Sequence, residues 1–147
     1  MEPTSKHDLS RFREAQDHVY RRALVELRAG RKESHWMWFV FPQIEGLGMS
    51  AMSQRYAIGS ASEAQAYLSD PVLGARLLEC VEAVLSVPQK SAHEIFGSPD
   101  DMKFRSSLTL FAAVAADPSP FEAALHRFYG GEPDGRTLAL LAQRPGR

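Results

Sequence analysis

The sequence predicts an all-α fold, and three observations carry that prediction. Apolar residues recur at helical spacing over most of the chain. Capping and terminating residues punctuate those stretches at short intervals. No run shows the sustained alternation of a half-buried strand. The expected architecture is a compact multihelical single domain of about seven to eight short helices, with no significant sheet, over residues 8–147 behind a frayed segment 1–7. A chain of 147 residues is one domain by length and buries enough surface to fold without a metal or a disulfide.

The elements follow in order. Leu9, Phe12, Val19, Ala23, Leu24 and Leu27 form one helical stripe, with Asp8 available to cap its start and Gly30 to end it. A short helix through the aromatic run 35–41 should stop at Pro42. Another is expected over Ser50–Tyr56. Ser60 and Glu63 have capping-box spacing and open a helix through Leu68. Asp70-Pro71 restarts the chain for a helix to Pro88. Ser91 and Glu94 form a second capping box, whose short helix stops at Gly97. Ser98-Pro99-Asp100-Asp101 reads as a cap, a first-turn proline and two carboxylates at the positive end of a helix dipole. Ser119-Pro120 opens the next helix, which Gly130-Gly131 ends, and a last one follows Asp134-Gly135.

Composition narrows the function classes. Hydrophobic residues make up 44% and charged residues 24%, with a formal net charge of −1, which gives no general attraction to nucleic acid or membrane. The first 36 residues carry eight Lys/Arg against six Asp/Glu, an excess that solvated helix faces absorb. No nucleic-acid partner is therefore expected. No run approaches a membrane span and the N-terminus has no apolar signal core, so the expectation is a cytoplasmic protein. The single cysteine, Cys80, lies in an apolar stretch and reads as inert core. The five histidines lack the spacing of a zinc helix, and neither a Walker loop nor a nucleophile elbow is present. No metal and no cofactor is expected.

Two segments are unusual. The first holds His35, Trp36, Trp38, Phe39, Phe41 and Gln43, followed by Gly46 and Gly48. The aromatics can supply core or wall a pocket for a planar ligand. Alternate glycines let backbone approach a ligand or make a turn. His35, inside the apolar cluster, is a candidate proton acceptor. The second segment runs from Asp100 to Phe111, where Lys103 lies one helical turn from Ser106 and Ser107. A lysine and a serine so placed can hold a phosphate, or can simply be a solvated lysine and serines bonded to their own helix.

These blocks also carry a resemblance. Arg11-Phe12, Ala15-Gln16 and Tyr20, the run Ser34 to Gln43, Gly46-Leu47-Gly48, Ile95-Phe96-Gly97, Asp101-Met102-Lys103 and Ser106 to Phe111 closely resemble the family catalogued as domain of unknown function 1810. Tyr129-Gly130-Gly131 and Asp134 to Thr137 continue it. The resemblance implies a small multihelical bacterial protein without an established activity. A fainter likeness in helical order is to the NADAR domains, which act on ADP-ribose derivatives. No residue role transfers from them.

Two functional expectations result. In one, a nucleotide-like or ADP-ribose-like small molecule is bound or processed between the two segments. Trp36 or Trp38 stacks it, Gln43 hydrogen-bonds it, and Gly46, Gly48 and Ser107 complete the pocket. Lys103 then meets an anionic group, His35 acts as base and Asp101 orients a partner. In the other, the chain is a non-catalytic protein–protein interaction module whose aromatic block is core or interface. The residues alone do not decide whether the protein is an enzyme.

Overall fold

The computed structural model describes residues 7–145, so the expected fraying of 1–7 lies, except for His7, outside the described residues. Ten helices follow one another, with no strand among the described residues: α1 (Ser10–Asp17), α2 (Tyr20–Arg28), α3 (Met37–Val40), α4 (Ala51–Arg55), α5 (Ala61–Ser69), α6 (Leu73–Leu85), α7 (Ala92–Phe96), α8 (Asp100–Val114), α9 (Ser119–Tyr129) and α10 (Gly135–Ala142). The all-α class is as the sequence predicts. The longest helix, α8, packs against α5, α7, α9 and α10, while α6 packs against α2, α5 and α9. Their buried faces meet in one apolar core.

Local chemistry explains most boundaries. The Ser91–Glu94 capping box is complete on both sides. Ser60 Oγ accepts from the Glu63 amide (3.1 Å), but the Glu63 carboxylate reaches back to Gly59 N–H (2.6 Å) instead of Ser60. Asp70 accepts from the amides of Val72 and Leu73, both at 2.9 Å, and Asp134 accepts from Thr137 N–H at 3.0 Å. Gly30 and Gly130, with φ of 73° and 65°, end α2 and α9 in the left-handed region that costs glycine least.

Two expectations are corrected. The stripe from Leu9 to Leu27 is two helices, broken at His18–Val19. Because α1 packs on α3 while α2 packs on α6, the two halves of the stripe need different axes. Ser98 does not cap α8: the amide of Asp101 bonds to Gly97 O (2.9 Å), and those of Met102 and Lys103 bond to Pro99 O. Backbone carbonyls thus take the amides of Asp101, Met102 and Lys103 that a capping serine would otherwise serve.

The aromatic block is mostly core. Trp36, Met37, Phe39, Val40 and Phe41 are buried, and Trp38 alone of that run is partly exposed. Phe41 contacts Trp36, Phe96 and Phe104 edge-on or tilted, and Phe104 continues to Phe128 and Tyr129. A second chain of rings runs from Phe39 through Tyr56, Phe12, Tyr67 and Phe111 to Phe121. Buried Gln16 links it to α3, donating to Phe39 O (2.6 Å) and to Tyr67 Oη (2.9 Å). Cys80 is fully buried, and burial pushes its thiol up to about 12, so it is inert core as expected.

A buried carboxylate orders the entry to this block. Glu26 accepts from Trp36 Nε1 (2.8 Å), Ser34 Oγ (2.6 Å), and the amides of Glu33 (2.9 Å) and Ser34 (3.1 Å). Burial alone raises its pKa, but these four donors outweigh it and hold the carboxyl down at about 2. The folded-state pKa lies below the ordinary glutamate value of 4.5, so the stabilisation is complete above pH 4.5 and is lost as pH falls towards 2. We expect Glu26→Gln to cost about 2–3 kcal/mol at neutral pH. It should also flatten the loss of stability between pH 5 and 2; urea melts across that range check both.

Helices α5 and α6 approach too closely for a side chain at one point. A Cβ on Gly74 would lie 2.2 Å from Leu68 O, a backbone atom. Gly74→Ala is therefore expected to force the helices apart and cost about 2–3 kcal/mol, read as a lower urea midpoint at unchanged slope.

Candidate functional site

A loop tied at its neck builds one wall of a cleft lined largely by polar side chains. Gln43 O accepts from Ile58 N–H and Ile58 O from Glu45 N–H, both at 2.8 Å, around a single parallel bridge between Ile44 and Ile58. The chain between them leaves and returns at one place, in the manner of an Ω-loop. Its helix α4 buries no residue. Gly48 packs against Ser53 so closely that a Cβ would meet Ser53 Cβ at 2.6 Å, which fixes the curl of the loop.

Opposite stand the first turns of α8 and the start of α10, enclosing about 230 Å³. Six of the ten lining residues carry polar side chains: Gln43, Ser53, Lys103, Ser106, Asp134 and Arg136. Larger hollows exist, such as one of about 460 Å³ walled by Ala112, Leu125 and Leu138. There the one buried hydroxyl, on Thr109, is already engaged with Arg105 O and Asp134 N–H. Another polar hollow, of about 470 Å³, has its Arg13 and Asp70 paired with each other at 2.6 Å, so loosely engaged polar groups, and not volume, single out the smaller cleft.

The charges at this cleft are arranged around Asp100. Lys32, whose side chain is only 7% exposed, places Nζ 2.9 Å from Asp100 Oδ2, 2.7 Å from Ser34 O and 5.1 Å over the Trp36 ring. Lys103 is held more loosely, 3.6 Å from Asp100 Oδ1 and 5.1 Å over the ring of Trp38. Asp134 is occupied as a helix cap, taking Thr137 N–H and Thr137 Oγ1 as well as Ser106 Oγ at 3.2 Å. Arg136 is exposed, with one long bond of 3.3 Å to Gly46 O. Of the charged residues that line the cleft, Lys103 and Arg136 face one carboxylate, Asp134, so the surplus charge is positive.

The residues singled out in the sequence divide accordingly. Gln43, Gly48 and Lys103 line the cleft together, and Trp38 joins them through Lys103. Trp36 is wholly buried with its indole N–H on Glu26, so it presents no face to a ligand. Gly46 has φ of 107° and backs onto Leu140. His35 is exposed and does not line the cleft. Asp101 pairs with His93 (Nδ1 to Oδ2 3.4 Å) and receives the Met102 amide. Ser107 is buried with its hydroxyl unpartnered, and Ser106 takes the position facing the cleft. Sequence reasoning missed Arg136, Asp134, Ser53 and Lys32. Only the Asp134-Gly135-Arg136-Thr137 block had drawn notice, as a helix start. Among the described residues no group of three or more His, Cys, Asp or Glu is placed to hold a metal, and no helix is long and apolar enough to cross a membrane.

Comparison with known proteins fits this picture. The crystal structure of a conserved hypothetical protein from Mycobacterium tuberculosis is similar, with 54% identity and a TM-score of 0.92 over 94% of this chain and 99% of that one. No protein of curated function matches. The model of a protein family of unknown function, DUF1810, matches residues 6–141, and the chain belongs to that family.

Proposed function

We propose that this protein binds a small anionic ligand, of nucleotide or ADP-ribose kind, in the cleft between the Gly46–Arg55 loop and the starts of α8 and α10. Lys103 and Arg136 take the negative charge, and Gln43 reads a neutral polar group. The observation that carries this reading is the convergence of two unsaturated cations with an amide and two hydroxyls on one concave surface. Charge-assisted hydrogen bonds of that kind are the strong ones in recognition. Trp38 contributes by holding Lys103, with no base stacked on the ring face that Lys103 covers.

A second reading, a protein-contact surface, draws on three exposed methionines. Met49 (80% exposed) and Met52 (36%) lie on the loop and Met102 (50%) on α8, so both sides of the cleft present flexible apolar side chains of the kind that adaptable protein interfaces use.

Thermal shift at low salt against AMP, ADP-ribose and NAD tests the first reading. A ligand at a hundred times its Kd should add about 2.7 kcal/mol, a rise of several degrees. Lys103→Met and Arg136→Met should each weaken binding about tenfold, with little change in the unliganded Tm for the exposed Arg136. No shift with any of the three at millimolar concentration overturns the proposal and leaves the methionine-flanked surface as the better-supported reading.

A further inference from the structure

Resting on that reading of the cleft, we infer that the part of the ligand it encloses is a phosphorylated sugar, and that any base attached to it stays outside. Three observations lead there. First, the cleft of about 230 Å³ falls below the roughly 300–1,000 Å³ that encloses a drug-sized ligand, so a whole nucleotide does not fit within it. Second, none of its ten lining residues is aromatic. Both tryptophans that could stack a base are spoken for, Trp36 by burial in the core and Trp38 by the Lys103 ammonium over its ring. Its apolar walls come from Leu47, Pro99 and Met102, which offer no flat π-face.

Third, the polar groups suit a polyol next to an anion. Ser53 Oγ accepts from Ser50 Oγ at 2.9 Å, which leaves its own hydrogen to donate. Ser106 Oγ has one hydrogen shared between Met102 O and Asp134 Oδ2, which leaves a lone pair to accept. The Gln43 backbone is committed to the Ile58 bridge, while its side-chain amide brings both a donor and an acceptor to the cleft. Donors and acceptors present together match vicinal hydroxyls, each of which does both. At the charged end, Lys32 already compensates Asp100 at 2.9 Å, so Lys103 can turn from its 3.6 Å contact to a phosphate without stranding a carboxylate. Arg136 supplies the second charge.

Titration calorimetry at low ionic strength with ribose 5-phosphate, AMP, adenosine and inorganic phosphate tests this. Ribose 5-phosphate and AMP should bind within about threefold of each other. Inorganic phosphate should bind at least tenfold more weakly, and adenosine should not bind at millimolar concentration. Gln43→Leu should weaken ribose 5-phosphate about tenfold while leaving inorganic phosphate unchanged, and Arg136→Met should weaken both; cooperative melting of each variant shows that it is folded. Adenosine binding as well as AMP, or AMP binding more than tenfold tighter than ribose 5-phosphate, puts the base inside the site and overturns the inference while the anion reading stands. Phosphate binding as tightly as ribose 5-phosphate also overturns it, since the sugar is then not read. If none of the four binds, the cleft reading itself falls, and the inference falls with it.

Discussion

The Glu26 carboxylate is the constraint on which the rest of this fold depends. A charge 6% exposed is tolerated only because four donors reach it, and all four come from residues 33–36. Satisfying Glu26 therefore fixes the path of that loop and the pose of the Trp36 indole. From Trp36 the packing passes to Phe41 and from Phe41 to Phe104 on α8. Neutral donors alone supply the compensation in the loop; Arg22, at 3.4 Å and largely exposed, adds only a screened contact.

The same loop also sets the electrostatics of the cleft. Lys32 immediately precedes the Glu26-bound amides, and its own N–H bonds Ile95 O at 2.8 Å, so its side chain emerges at a fixed place between Trp36 and Asp100. Asp100 begins α8, where the helix dipole already favours a carboxylate. With Lys32 on one oxygen and Lys103 on the other, the acid is over-compensated, and the more exposed of the two lysines is the one that borders the cleft. Core order and the charge bordering the cleft are thus linked through residues 32–36, which bind Glu26 on one side and Asp100 on the other.

How much of this was legible in the sequence depends on the range of the interaction. Caps act over three or four residues, and those at Ser91, Ser60 and Asp134 stood in the sequence as spacing. The break at His18–Val19 did not, because both halves of the stripe are apolar at helical spacing and only their different partners, α3 and α6, bend the axis. The aromatic run read as core or pocket wall, with core the favoured reading for any one ring. What decided it was the burial of Trp36 on Glu26, ten positions earlier. Ser106 and Ser107 are both one turn from Lys103, and a rotation of about 100° between neighbours sends one to the cleft and the other into the core, where its hydroxyl finds no partner. Arg136 meets Gly46 across ninety residues, a distance over which no local pattern carries information.

The groups gathered at the cleft differ in how far the fold has already committed them. A proton acceptor for general base work needs a free lone pair within reach of the reacting group. Asp134 has one oxygen, Oδ2, committed to Thr137 and Ser106, and Asp100 lies between two ammonium groups. His93 pairs with Asp101 at the start of α7, where His93 is 68% exposed, and neither residue lines the cleft. The Lys103 ammonium, the Arg136 guanidinium and the Gln43 amide are the cleft groups that the fold commits least: Lys103 has a 3.6 Å contact to Asp100, and Arg136 one 3.3 Å bond to Gly46 O.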